Sequence, residues 1–129
     1  MRKYTAVLLL ALGSNVHLHA EESVFIGHVL EQEQIESVRA CEEGVACMRI
    51  WTRWTVAIKR NLRGPVISGR VVAARLQHGD YASAYLARIR CSTVRPIEDA
   101  EDRKLLGVNY KLLDISTSGD QSDMEECAR

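Results

Sequence analysis

The sequence predicts a mainly β fold: a small five-stranded antiparallel barrel, OB-like in its order of elements, with one short helix before the last strand. Three observations carry that prediction. Short apolar, β-branched or aromatic runs recur between turn signals. A single segment has the capping and charge pattern of a helix. The 129-residue chain is 47% hydrophobic with only 2 Pro, which suits one folded domain and excludes a fully disordered chain, a collagen or a multidomain enzyme.

The first 20 residues read as a secretory leader. Arg2 and Lys3 precede an eight-residue apolar core, Ala6 to Gly13, and a more polar stretch ends at Ala20, just before Glu21 and Glu22. The core is far shorter than the roughly 20 residues that span a bilayer, and no later segment approaches that length. No Cys follows it to take a lipid anchor. The expected mature chain therefore starts at Glu21, carries no integral membrane segment and resides in the periplasm or outside the cell.

The elements follow in order. Ser23 to Leu30 (SVFIGHVL) reads as a buried strand, with Gly27 marking a bulge or a close backbone approach. Met48 to Leu62 alternates, with Met48, Ile50, Trp54, Val56 and Ile58 on one face and Arg49, Trp51, Arg53, Thr55 and Lys59 on the other. Arg63-Gly64-Pro65 ends it. Val66 to Gln77 and Ala84 to Val94 read as a hairpin joined around Gly79-Asp80, with Arg88 and Arg90 on one face and Tyr85, Ala87, Ile89 and Cys91 on the other. A helical turn within Asp80 to Arg88 is the alternative. Residues 96 to 106 form the helix: Pro96 starts it, Glu98, Asp99, Glu101 and Asp102 crowd its amino end, Arg103 and Lys104 its carboxyl end, and Gly107 follows. Val108 to Ile115 is the last strand. The domain thus spans residues 21–115, and residues 116–129 form an acidic tail.

All four cysteines lie after the leader and meet an oxidising compartment. Three pairings are possible. Cys41 with Cys47, around a short loop, and Cys91 with Cys127, fastening the tail, are preferred. In the chain-entropy model these contribute about 2 and about 4 kcal/mol. The C-x5-C spacing followed by two isolated cysteines is not a metal-ligand pattern, so no metal is expected.

Charge is sorted along the chain. Residues 21–43 hold seven acids and one base, residues 44–95 ten bases and one acid, and residues 96–129 nine acids and four bases. Such a basic middle either neutralises the acidic ends within the fold or faces an anionic ligand.

Five strands and one helix in about 110 residues suggest an OB-fold, with a sandwich as the nearest competitor. The opening SVFIGHV and the strand WTVAIKRNLRG resemble the first strands of the netrin-like module shared with the tissue inhibitors of metalloproteinases, over about a third of the chain. The resemblance implies an OB-type barrel and a secreted binding or inhibitory domain. Those inhibitors chelate the target's zinc with an amino-terminal Cys, whereas the first Cys here is Cys41, so the resemblance carries over the fold and no functional residue.

No catalytic group and no cofactor are expected. His28 and His78 are the two histidines after the leader, and neither lies in a nucleophile motif. His28, within an apolar strand, reads as a hydrogen-bonded core or rim residue, and His78, before a turn, as solvated. The acids at the helix start read as dipole partners, and those at 120–126 lack the fixed spacing of a calcium loop. The candidate ligand surface is Arg49, Trp51 and Arg53 on one strand with Arg88 and Arg90 on another, which a barrel would bring side by side to hold an envelope polymer such as lipopolysaccharide, anionic glycan or extracellular nucleic acid. The competing reading has the arginines paired with the acidic ends and Trp51 covering a core edge. A protein partner or secreted-enzyme target is the second functional class, and a small hydrolase the third.

Overall fold

The computed structural model describes residues 21–42, Gly44, 47–117 and Cys127. The expected leader and most of the acidic tail lie outside the described residues. Five strands, β1 (Ser23–Gln34), β2 (Arg49–Arg63), β3 (Arg70–His78), β4 (Ile89–Pro96) and β5 (Tyr110–Thr117), close into a barrel in the order β1-β2-β3-β5-β4. Two short helices join the last three: α1 (Ser83–Leu86) between β3 and β4, and α2 (Ala100–Leu106) between β4 and β5. The mainly β, OB-like architecture with a short helix before the last strand is as the sequence predicts.

The long alternating strand is what makes closure possible. In β2, Thr52, Trp54 and Val56 are buried, and their β3 neighbours across the ladder include Ala73 and Val71. With Phe25, Ile89, Val94 and Leu112 these residues fill the interior. Trp54 is fully buried, and its indole N–H donates to Thr52 Oγ1 at 3.0 Å and Gln77 Oε1 at 3.2 Å, as a buried indole requires. Gly27 serves both expected purposes. The β1–β2 register shifts between Ile26 and Gly27, and a Cβ there would meet Val56 Cγ1 at 2.6 Å.

The pairing differs from expectation in three ways. β3 and β4 are not a hairpin, since β5 lies between them, and β3 pairs with β5 in parallel over Ala73↔Tyr110 and Ala74↔Lys111. This seam is short, and Arg75 reinforces it by donating to Leu113 O at 3.2 Å and Leu112 O at 3.5 Å. The segment read as the start of β4 is instead α1, the helical alternative. Tyr81 and Leu86 turn toward the core, and Tyr81 stacks edge-on to Trp54 with centroids 5.5 Å apart, so this crossover caps a barrel end rather than turning back on β3. Ile89 then points inward, while a register shift before Cys91 carries that residue to a different cluster on the outside, so the two do not share a face.

Boundaries moved for local reasons. β1 continues to Gln34 because its polar end still pairs with β2 up to Thr52. Pro96 closes β4, and Asp99 is the helix N-cap, accepting from Glu101 N at 3.1 Å, so α2 begins at Ala100. Gly107 ends it with φ 69°, the left-handed cap conformation that glycine adopts freely. β3 starts at Arg70, because residues 64–69 form the turn, and the last strand runs two residues later than expected. Met48, expected inside, is 80% exposed, since it precedes the barrel.

Both preferred disulfides are present, Cys41–Cys47 and Cys91–Cys127, each with Cα atoms 6.0 Å apart. Cys91 and Cys127 pack with Val24 and Leu62 on the outside of β1 and β2. The tail end is thereby fastened to the barrel wall.

Candidate functional site: the outer face of the barrel

Since side chains fill the interior, recognition falls to the outer wall. On the β1–β2–β3 sheet the outward rows follow from the register. Arg49 stands opposite His78, Trp51 opposite Leu76, Arg53 opposite Ala74, Thr55 opposite Val72 and Ala57 opposite Arg70. β1 adds Glu33 beside Arg53, Glu31 beside Thr55 and His28 beside Ala57. The outward set read from β2 is therefore correct for Arg49, Trp51, Arg53 and Thr55.

The structure uses two of the five candidate ligand residues for its own packing. A second apolar cluster, Ile35, Ala74, Ile97, Leu106 and Val108, lies outside the barrel, and half-buried Trp51 and Val38 pack against it. Trp51 thus covers a core edge and is only partly open to solvent. Arg53 is held by two hydrogen bonds and packs closely against Gly107. Its Nη1 donates to Glu33 Oε1 at 2.8 Å, its Nη2 donates to Leu106 O at 3.1 Å, and a Cβ on Gly107 would approach that Nη2 to 2.9 Å. The guanidinium sits against the carboxyl end of α2, where backbone carbonyls lack helical partners and the dipole favours a cation.

Arg49 shares the outward row of β2 with these two, but Arg88 and Arg90 are not brought together with them. β1 lies between β2 and β4, so the two arginine-bearing strands are not neighbours. The expected juxtaposition fails because closure pairs β4 with β1 and β5. Arg90 folds back to donate to Ala87 O and Ile89 O, close to its own backbone. Arg88 and Arg49 are exposed.

His28 is also corrected. It is exposed on the outer face rather than a hydrogen-bonded core or rim residue, because Gly27, not His28, takes the inward position. His78 is exposed, as expected. Asp99 caps α2 and Glu101 and Asp102 lie in its first turn, so these acids do serve the helix. Beside them a cleft of about 300 Å³ is lined by Arg95, Ile97, Glu98, Asp99, Asp102 and Lys111, a mixture of charges with no single preference.

The cations that sequence reasoning passed over lie in the second half of β2 and the start of β3. Lys59, Arg60 and Arg70 are exposed and, among the described residues, make no side-chain hydrogen bond or ion pair. Arg53–Glu33 is the one ion pair among the described residues. The signal for this set was in the sequence as the KR of AIKRN, but its partner Arg70 is 10 positions away and only the β2–β3 register brings it near. No protein-family model, curated protein or solved structure matches the chain.

Proposed function

We propose that this protein is a small secreted or periplasmic binding module without catalytic activity, and that it takes an anionic polymer on the outside of its barrel. The observation that supports this reading is the fate of the basic middle section. Ten bases lie in residues 44–95, yet among the described residues a single ion pair forms, Arg53–Glu33. Among the described residues, the other bases form no ion pair with the acids of the two ends. Exposed, unpaired cations on a rigid sheet keep their full Coulomb attraction for a polyanion, and binding to one releases its condensed counterions. Two disulfides fit an oxidising compartment, and no helix of the described residues is long and apolar enough to cross a membrane.

The test is salt elution of the oxidised chain, from Glu21 onward, from a sulfated-polysaccharide matrix, run beside an uncharged matrix of the same polymer. Elution above physiological salt, with flow-through on the uncharged matrix, is the expected result. Flow-through on both would overturn the reading and turn the search to a protein partner.

A further inference from the structure

We infer that the anionic ligand docks on a patch centred on Ala57, built from Lys59, Arg60, Arg70 and His28, and that the ligand is a glycan bearing repeated sulfate or phosphate groups. This deepens the binding-module reading and rests on it. None of these four is among the five candidate ligand residues of the sequence, although Lys59 is read there on the same outer face of β2 as Arg49 and Arg53.

The patch is defined by register. His28 on β1 and Arg70 on β3 flank Ala57 on β2 in one row, and neighbouring strands are about 4.8 Å apart, so the three side chains rise from a strip about 10 Å wide. Lys59 is two residues beyond Ala57 on the same strand. At that point β2 bulges: Gly27 pairs with Ile58 and Ile26 with Arg60, leaving Lys59 as the extra residue, so two successive cations stand over one β1 position. Ala57 is small and only partly exposed, which leaves a low centre with positive charge on its sides.

The hairpin holds this arrangement still. Asn61 closes the β2–β3 turn by donating from Nδ2 to Ile67 O at 3.1 Å and accepting from Ile67 N at 3.1 Å. Ile58 N donates to Gly69 O at 2.8 Å, which fixes Arg70 beside Ala57. The backbone positions of the cations are thereby set before binding, which leaves their side-chain ordering as the conformational cost.

Two features select the ligand. The four patch residues include no aromatic side chain, and Trp51, half-buried against the outer apolar cluster, lies six residues back along β2, so the patch itself lacks the rings on which single-stranded nucleic acids stack. What is left is charge and hydrogen-bond donation, which suits the oxygens of sulfate or phosphate on a sugar chain. The second feature is a boundary. Glu31, beside Thr55, is an exposed acid on the α2 side of the patch, and Glu33 beyond it is paired with Arg53. A polyanion is therefore directed away from α2, across the row of His28 and Arg70 and along Lys59 and Arg60 toward the turn.

The experiment is titration of dextran sulfate into four forms of the disulfide-bonded chain: wild type, Lys59→Ala/Arg60→Ala/Arg70→Ala, Arg49→Ala/Arg88→Ala, and Glu31→Gln. Salt is varied, and a single-stranded oligonucleotide of matched charge is the competitor. At about 1 kcal/mol per cation near an anionic surface, the triple variant is expected to bind about 100-fold more weakly at low salt. Its salt slope should fall by about one per cation removed. The Arg49/Arg88 variant should stay within a few-fold of wild type, and Glu31→Gln should bind more tightly. Equal binding by wild type and the triple variant would overturn the patch while leaving the binding module standing. Failure of wild type itself to bind would overturn both. An oligonucleotide that binds more tightly than the glycan would overturn the ligand assignment. Matching melting curves for all four forms separate loss of binding from loss of fold.

Discussion

Strand β2 carries cations in both halves, and the two halves treat them differently. In the first half, Arg53 is enclosed by Glu33 on β1 and by Leu106 O at the end of α2, and its neighbour Trp51 is packed beneath Ile35, Val38 and Leu106. In the second half, Lys59 and Arg60 are exposed and have no partner among the described residues. Composition does not separate these halves, since each is an alternating run with bases on the outer face. What separates them is whether a further layer lands on the sheet. α2 and the segment after β1 cover the first half and convert its outward residues into a second core. Among the described residues no further layer packs on the other half, so its charges remain available.

The comparison breaks most directly at Arg53. Arg53→Ala removes a guanidinium that caps α2 and pairs with Glu33, and it leaves Leu106 O short of a donor. Hydrogen bonds to charged groups contribute about 1.5–3 kcal/mol each, and the partial exposure of the ion pair argues for the lower end, so a loss of about 2 kcal/mol is expected. Arg60→Ala should change stability by no more than about 0.5 kcal/mol. Urea unfolding of the two variants side by side checks both. Equal midpoints would mean that the covering layer contributes nothing through this arginine.

A smaller effect should come from the other side of the same contact. Gly107 has φ 69°, and a Cβ there meets Arg53 Nη2 at 2.9 Å. Gly107→Ala is expected to cost about 1–2 kcal/mol from the left-handed backbone alone. The added methyl also displaces a guanidinium that is itself movable, so the two variants share a mechanism. In the Arg53→Ala background, the steric part of the Gly107→Ala penalty should disappear and the conformational part persist, a coupling that thermal denaturation of the double-mutant cycle measures. Full additivity would separate helix capping from the arginine.

Much of this was legible in the sequence because alternation reports one layer correctly. The alternation puts Trp54 and Val56 inside and Arg49, Trp51, Arg53 and Thr55 outside, and the structure agrees. Helix α2 was legible from Asp99, the acids after it and Gly107, since these are local backbone requirements. Strand pairing was not. The parallel β3–β5 seam and the separation of β2 from β4 by β1 depend on closure, which no window of residues encodes. The same limit explains the candidate site. Arg49, Trp51 and Arg53 look like an open strip when only one layer is read, and the residues that cover two of them come from positions 35–38 and 97–108. Lys59, Arg60 and Arg70 gather only after the hairpin register is known.

The smallest effect expected concerns the open half on its own terms. Three cations on adjacent strands, with no acid paired to them, repel one another, and that repulsion is part of the folded state's free energy even without a ligand. Removing it in the Lys59→Ala/Arg60→Ala/Arg70→Ala variant should therefore leave stability unchanged or raise it by up to about 0.5 kcal/mol at low salt. At 1 M salt, where the screening length falls to about 3 Å, the gap should close. Arg53→Ala should show no such convergence for the part of its cost that comes from Leu106 O, a short hydrogen bond rather than a long-range field. The measurement is the melting temperature of wild type and both variants at low and high salt. A triple variant that is clearly less stable at every salt concentration would mean that these side chains hold the sheet together, and the open half of β2 would then be structural like the covered one.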